Sequence, residues 1–212
     1  VIASGSRFTR YSAMEVTVEP DGAVLIEGLR TEILPSTTAG QNDPPPEPSV
    51  AAIVTKWEAA VDEALGDEIG FTVAGLPMGS WALANWTTDL TLAAFPGADV
   101  VISNSGGIRD DLAPGPITIA DVVEALPFDN NLYQLTLSGE GLRQAIGAGM
   151  WACGGVSCFV TISGARYFFS DESWQIARPD GTPFGDDEAL RVVVTDYMWQ
   201  GGAGFGILAE LD

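Results

Sequence analysis

The chain has 212 residues, of which 9 are basic and 29 acidic, so its formal net charge is −20. This charge repels a phosphate backbone, so we do not expect the chain to bind a nucleic-acid polymer. The sequence contains no His, which excludes a Ser–His–Asp triad, a Cys–His dyad and every metal site that needs His.

The first 35 residues predict a β-hairpin. Apolar and polar residues alternate over 14–19, a turn follows at Pro20-Asp21-Gly22, and apolar residues resume at Val24. Residues 36–48 are rich in Pro and show no periodicity, which is typical of a linker or an extended crossing segment. We therefore expect a domain boundary in this stretch.

Residues 49–65 predict the clearest helix of the chain. Ser49 is a suitable N-cap residue, and Gly66 ends the pattern. Between them apolar residues recur at helical spacing, namely Val50, Ile53, Val54, Trp57, Val61 and Leu65.

The rest of the chain, 66–212, mixes helical and strand patterns and contains many Gly and Pro residues. Helices are predicted over 81–95 and 139–149, and strands over 100–102, 132–137, 160–169 and 190–194. This mixture indicates an α+β sandwich. No apolar run approaches the roughly 20 residues of a membrane span.

Two cysteines, Cys153 and Cys158, form a Cys-x4-Cys pattern. They are too few for a zinc site, and their spacing differs from the Cys-x-x-Cys of redox proteins. A short disulfide loop fits this pattern and indicates an oxidising compartment. Two reduced, buried cysteines in a cytosolic protein are the alternative.

The segment NSGGIR places Asn104 at the end of a predicted strand and two glycines before Arg109. Backbone amides and a guanidinium group can then face one cavity. The alternative is a tight turn with a surface Arg.

Four motifs in order, NSGGIR, PFDNN, FVTISG and TDYMWQGGAGF, resemble the C-terminal domain of the 5′-nucleotidase family, and the resemblance covers about 48–212. It implies a layered α/β sandwich with mixed sheets over 66–212, preceded by a hinge-like helix over 49–65. Residues 1–35 then resemble the terminal strands of the metallophosphoesterase domain that precedes this domain in the family.

The resemblance also implies a substrate site. Phe128 and Tyr197 match two aromatic residues that stack on the two faces of a nucleobase, an interaction that accepts any base. Asn104 and Asn130 match polar residues beside the base, and Arg109 matches a guanidinium on the sugar or phosphate side. Gly164 matches a glycine that lets the base approach the backbone. The alternative for both aromatic residues is a place in the core.

Two departures from the family pattern concern this site. The family usually has Gly-Gly-Asp-Gly-Phe where this chain has Ala203 in place of the Asp, so the carboxylate that accepts hydrogen bonds from ribose is missing. Family members often carry Arg in the region that matches 76–81, which here contains none. These departures indicate an altered substrate preference, and loss of nucleotide binding is the alternative.

The family's catalysis uses two divalent metal ions held by His and Asp. A chain without His cannot supply that site, so we expect no cofactor in this chain and both metals in the preceding domain. The resemblance implies a noncatalytic specificity domain of a secreted or periplasmic bacterial 5′-nucleotidase, a hydrolase of nucleotide catabolism. Its expected partners are a nucleotide or nucleoside and the metallophosphoesterase domain, without a transmembrane segment. The alternatives are a stand-alone nucleoside-binding module and a structural acidic domain that lost the site.

Overall fold

The computed structural model describes residues 10–33, 46–152 and 160–211. The chain divides into two compact units, Val1–Lys56 and Trp57–Asp212. Cys153 and Cys158 lie outside the described residues, so the predicted disulfide stays a prediction. Among the described helices there is none whose length and apolar character would let it cross a membrane.

The first unit contains an antiparallel hairpin of β1 (Arg10–Val18) and β2 (Val24–Ile33). The Glu19 amide donates to the Ala23 carbonyl at 2.8 Å and closes the turn. Gly22 has φ +86°, a conformation that glycine adopts without a steric penalty. The predicted hairpin is thus present, with strands longer than the alternating pattern.

Helix α1 (Pro48–Leu65) begins in the first unit and ends in the second. The prediction that Ser49 is the N-cap is wrong by two positions. Glu47 accepts the Val50 amide at 2.9 Å, and Pro48 is the first helical residue, where its missing N–H is not needed. The side chains of α1 are exposed or half-buried, including the predicted apolar stripe.

The second unit contains both strands and helices. In chain order its elements are β3 (Glu68–Thr72), α2 (Trp81–Ala94), β4 (Val100–Asn104), β5 (Gly115–Thr118), α3 (Ile119–Ala125), β6 (Leu132–Ser138), α4 (Gly139–Ala152), β7 (Val160–Ser163), β8 (Arg166–Ser170), β9 (Ser173–Ala177), β10 (Ala189–Thr195), α5 (Asp196–Trp199) and α6 (Leu208–Leu211).

The central sheet has the strand order β6-β10-β4-β7. Strands β10 and β4 are parallel, while β6 and β7 are antiparallel to their neighbours. Two antiparallel pairs, β3 with β5 and β8 with β9, accompany the sheet. This arrangement confirms the predicted α+β fold with mixed sheets.

Helices cover both faces of the sheet. Val100 and Ile102 of β4 join the main core cluster together with Leu142 and Ile146 of α4. The alternate side chains of β4 and β7 point to the other face, where the Ser163 hydroxyl donates to Asp89 of α2 at 2.5 Å. The unit is therefore layered, with α4 on one face and α2 on the other.

The strand predicted over 160–169 is two strands, β7 and β8, because the chain turns at Gly164. Gly164 has φ +80°, and a Cβ atom there would lie 2.2 Å from the Asp99 carbonyl oxygen. Only glycine fits this conformation and this close approach.

Candidate functional site

A cleft of about 290 Å³ lies at the carboxyl ends of the parallel strands β4 and β10. Ligands of open α/β sheets commonly bind at this edge. All predicted site residues except Gly164 line the cleft. Its lining residues are Asn104, Gly106, Gly107, Arg109, Phe128, Asn130, Tyr197 and Ala203.

Asn104 ends β4, and a short 3-10 turn over 105–107 leads to Arg109. The Arg109 amide donates to the Ala125 carbonyl at 2.8 Å, which fixes this segment to the end of α3. The guanidinium carbon of Arg109 lies 5.1 Å from the centre of the Phe128 ring, a cation–π contact. The turn therefore places a cation against an aromatic wall.

Phe128 follows α3, whose first turn is fixed by a capping box between Thr118 and Asp121. Bonds from the Thr118 amide and hydroxyl lower the pKa of Asp121. The backbone amide of Asn130 donates to the Phe128 carbonyl at 2.9 Å, so the two residues share one tight turn. Phe128 is 49% exposed, which contradicts the alternative of a core residue.

Tyr197 lies in the first turn of α5, directly after β10. The Thr195 hydroxyl caps this helix by accepting the Met198 amide at 3.2 Å. The Asn131 backbone, followed by weaker contributions from its side-chain amide and from the Tyr197 amide, lowers the pKa of Asp196 and keeps it ionised at the helix N-terminus. These bonds fix the backbone that carries Tyr197.

The Tyr197 side chain is 49% exposed and is positioned by a glycine turn. Its hydroxyl accepts the Ala203 amide at 3.2 Å. A Cβ atom at Gly202 would lie 2.4 Å from the Tyr197 ring, so the ring packs directly on that backbone. Ala203 has φ +51°, the left-handed region that L-residues other than Asn and Asp seldom adopt.

Gly164 lies elsewhere. It follows Ser163, which pairs with Val101, whereas the cleft begins at Asn104, which pairs with Val160 at the opposite end of β7. Its contact is with the Asp99 carbonyl, before β4 begins. Gly164 thus lies in the β7–β8 turn and is not among the described lining residues of the cleft, and its assignment to substrate binding stays a prediction.

A second cavity, here called the inner cavity, opens behind the cleft. Its volume is about 160 Å³, and Asn104, Gly107, Phe128 and Asn130 line both spaces. Its far wall includes three threonines of α2, Thr87, Thr88 and Thr91. These threonines carry no sequence signal of a site, because threonines on a helix form no recognisable motif.

Within 10–33, 46–152 and 160–211 there is no group of three or more Cys, Asp or Glu side chains that could hold a metal ion. The sequence also lacks His. The described residues therefore do not fit a two-metal phosphoesterase centre. Arg109 is the charged side chain of the described cleft lining, which suits an anionic or polar ligand.

The profile of the family described as 5′-nucleotidase, C-terminal domain, matches residues 58–210. The chain is 22% identical over 232 aligned positions to the trifunctional nucleotide phosphoesterase protein YfkN of Bacillus subtilis, covering 99% of this chain and 16% of that protein. It is 31% identical to the cell wall protein Lmo0130 of Listeria monocytogenes, covering 58% of this chain and 18% of that protein.

Among solved structures, a 5′-nucleotidase precursor from Thermus thermophilus superposes with a TM-score of 0.67 and 27% identity. The match covers 95% of this chain and 43% of the Thermus protein. The chain thus spans less than half the length of the known proteins it resembles here.

Proposed function

This chain belongs to the family of 5′-nucleotidase C-terminal domains, and we propose that it binds the nucleoside part of a nucleotide as the specificity domain of a bacterial 5′-nucleotidase. One observation carries the proposal. Two half-exposed aromatic side chains, Phe128 and Tyr197, line a single cleft together with Asn104, Asn130 and Arg109.

Each part of the cleft suits one part of a nucleotide. Stacking on an aromatic ring contributes about 1–3 kcal/mol per base. The amides of Asn104 and Asn130 can both donate to and accept from the edge of a base. The Arg109 guanidinium favours the anionic side of the ligand. In this proposal Phe128 and Tyr197 hold the base, and Arg109 faces the sugar and phosphate.

Hydrolysis of the phosphate ester belongs, in this proposal, to a preceding metallophosphoesterase domain with two divalent metal ions. Such ions activate water and neutralise the phosphate, and the described residues of this chain do not fit that centre. The isolated chain is then noncatalytic. We further propose a periplasmic or extracellular location, which the resemblance to a cell wall protein supports.

Nuclear magnetic resonance titration with adenosine and uridine tests the binding. We expect shifts clustered at the cleft residues and a Kd in the high-micromolar to millimolar range, since ligand groups that face the other domain remain unbound. Shifts clustered elsewhere would contradict the proposal. In a parallel assay with added divalent metal, phosphate release from nucleoside monophosphates should stay at the level of a buffer blank.

A further inference from the structure

Helix α4 and the β8–β9 hairpin border a groove of about 600 Å³, here called the α4 groove. It shares no described lining residue with the cleft or with the inner cavity. Its volume lies within the range of small-molecule sites. The lining combines three aromatic side chains with three carboxylates, and the proposed nucleoside site uses none of them.

The aromatic side chains of the α4 groove are Trp151, Phe169 and Trp174. Phe169 and Trp174 pair across β8 and β9, and their ring centres lie 5.3 Å apart with the ring planes at 71°. The two rings therefore form a corner rather than a flat stack. Phe169 is 56% exposed and Trp151 78%. The cation–π contacts of the described residues involve other rings, those of Phe128 and Phe184.

The Trp174 ring is held in place by two neighbours. A Cβ atom at Gly147 would lie 3.2 Å from the Trp174 Cδ1 atom, so the indole packs directly on α4. The Tyr167 ring makes an edge contact with it at 5.5 Å, and the Tyr167 hydroxyl donates to the Val160 carbonyl at 2.6 Å. A wall that is already fixed loses little conformational freedom when a ligand binds.

The charges of the α4 groove are three carboxylates against one guanidinium. Arg143 is paired with Asp186, which leaves Glu140 and Glu172 as excess negative charge. The chain as a whole carries a formal charge of −20. Both the groove and the protein around it therefore attract a cation.

Glu172 has a backbone conformation that suits glycine better. Asp171 and Glu172 form the two-residue turn between β8 and β9, with φ +50° and +62°. Turns of this type favour Asn-Gly, because glycine takes a positive φ without a steric penalty. A Glu at the second position therefore costs the hairpin stability, and strain of this kind concentrates at functional sites.

We propose that the α4 groove binds an organic ammonium ion of the trimethylammonium type, the group that choline carries. Aromatic faces attract a cation, and quaternary ammonium groups are the ligands that aromatic cages recognise. The methyl groups would contact Phe169 and Trp174, while Glu140 and Glu172 balance the positive charge. A strongly hydrated ion such as Na⁺ would lose more hydration against these apolar walls.

Matched ligands test the proposal on the unmodified chain. In nuclear magnetic resonance titrations at low salt, choline should shift the signals of Gly147 and of the Trp174 indole N–H, with a Kd in the millimolar range. Its neutral isostere 3,3-dimethylbutan-1-ol has the same shape without the charge and should bind about fivefold to tenfold more weakly. Phosphocholine should also bind more weakly than choline, because its phosphate meets the carboxylates.

An aromatic variant connects the binding to the groove. Phe169→Ala should raise the choline Kd about fivefold. Phe168→Ala is the matched control: Phe168 is 51% exposed and, as the neighbouring residue of β8, lies on the opposite face of the hairpin. It should keep the wild-type Kd. Equal Kd values for the two variants would overturn the proposed site.

Variants of Glu172 separate binding from stability. Glu172→Gln should raise the choline Kd about twofold to threefold, whereas Glu124→Gln, at an exposed position of α3, should not. Glu172→Gly should weaken choline binding to a similar extent and yet raise the midpoint of thermal unfolding, because it removes the strain at positive φ. Wild-type choline affinity in both Glu172 variants would remove this carboxylate from the site.

This proposal is independent of the nucleoside site. Equal Kd values for choline and its neutral isostere would overturn the selection of a cation, and choline shifts clustered at Phe128 and Arg109 would overturn the assignment to the α4 groove. Adenosine at saturating concentration should leave the choline Kd unchanged, since the two spaces share no described lining residue.

Discussion

The guanidinium carbon of Arg109 lies 5.1 Å from the centre of the Phe128 ring. A cation over one face of the ring leaves the opposite face for a base, so Phe128 can hold Arg109 and stack a base at the same time. The two residues are linked through the backbone as well, since the Arg109 amide bonds the end of α3, which Phe128 follows.

Replacing Phe128 with Ala should therefore weaken nucleoside binding by about tenfold or more. Stacking on the ring contributes about 1–3 kcal/mol, and Arg109 loses its cation–π contact with that ring. Resonance titration with adenosine measures the effect. Phe168→Ala is the matched control, since Phe168 on β8 is 51% exposed against 49% for Phe128. Equal adenosine Kd values for the two variants would show that Phe128 does not contact the base.

Ala203→Asp should strengthen the binding of ribonucleosides by severalfold. Ala203 lines the cleft in the left-handed region, which Asp tolerates better than Ala, and a carboxylate there offers acceptors to ribose hydroxyls. The comparison of adenosine with 2′,3′-dideoxyadenosine isolates the sugar hydroxyls, and only adenosine should gain affinity.

Ala203→Gly separates backbone strain from the carboxylate. It should raise the free energy of unfolding by about 0.5–1 kcal/mol, because glycine adopts positive φ without a steric penalty, and leave the adenosine-to-dideoxyadenosine ratio at its wild-type value. A similar gain in adenosine affinity for both variants would mean that strain, not ribose recognition, limits binding.

The sequence predicted the long elements because their patterns are local. The apolar spacing of α1, the polar and apolar alternation of β6 and the β-branched runs of β4 and β10 each mark one element. The break at Gly164 was missed because it depends on the Asp99 carbonyl, 65 positions away in sequence, against which no side chain fits.

The residues of the cleft could be predicted from the order of the family motifs but not from the periodicity of the sequence. Phe128 and Tyr197 are far apart in sequence, and no local pattern places them in one cleft. The resemblance named the residues at the mouth but not the inner cavity behind them. Thr87 and Thr91 reach it only through the packing of α2 on the sheet, a tertiary contact with no sequence signature.

Asp99→Asn should lower the free energy of unfolding by about 1 kcal/mol at pH 7. The Asp99 carboxylate accepts the Arg191 backbone amide at 2.8 Å and the guanidinium at 3.0 and 3.1 Å, and this side-chain bonding lowers its pKa. A lowered pKa means that the stabilisation is present above about pH 4 and is lost as the pH falls through the folded-state pKa.

The difference between wild type and Asp99→Asn should accordingly shrink on acidification, as measured by urea unfolding between about pH 7 and pH 3. Asp187→Asn, at an exposed carboxylate, is the control and should change stability little at either pH. A pH-independent loss in Asp99→Asn would assign the effect to packing instead of ionisation.

Cys153 and Cys158 are predicted to form a disulfide. Intact-mass measurement should show a gain of about two hydrogens on reduction, and reduction should lower the free energy of unfolding by roughly 2 kcal/mol, because a short loop constrains the unfolded chain only modestly. Two free thiols in protein purified without reductant would count against the bridge and against the extracytoplasmic location.

Gly202→Ala should weaken nucleoside binding about tenfold while changing stability little. The added methyl group would lie 2.4 Å from the Tyr197 ring, so one of them must move. The ring is at the end of a side chain that is 49% exposed, so it can rotate into solvent without disturbing the core, at the cost of the exposed hydrogen bond from the Ala203 amide. It then no longer stacks on the base, so only the Phe128 ring still stacks on it.

Gly206→Ala is the matched control for this variant, because a Cβ atom at Gly206 meets nothing within 4 Å. Thermal unfolding of both variants should give similar midpoints, and titration with adenosine should separate them. If Gly202→Ala binds adenosine as tightly as Gly206→Ala does, Tyr197 is not a wall of the base site. If instead Gly202→Ala unfolds at a much lower temperature, the Tyr197 ring stabilises the turn that contains Gly202 and Ala203 and is not free to move.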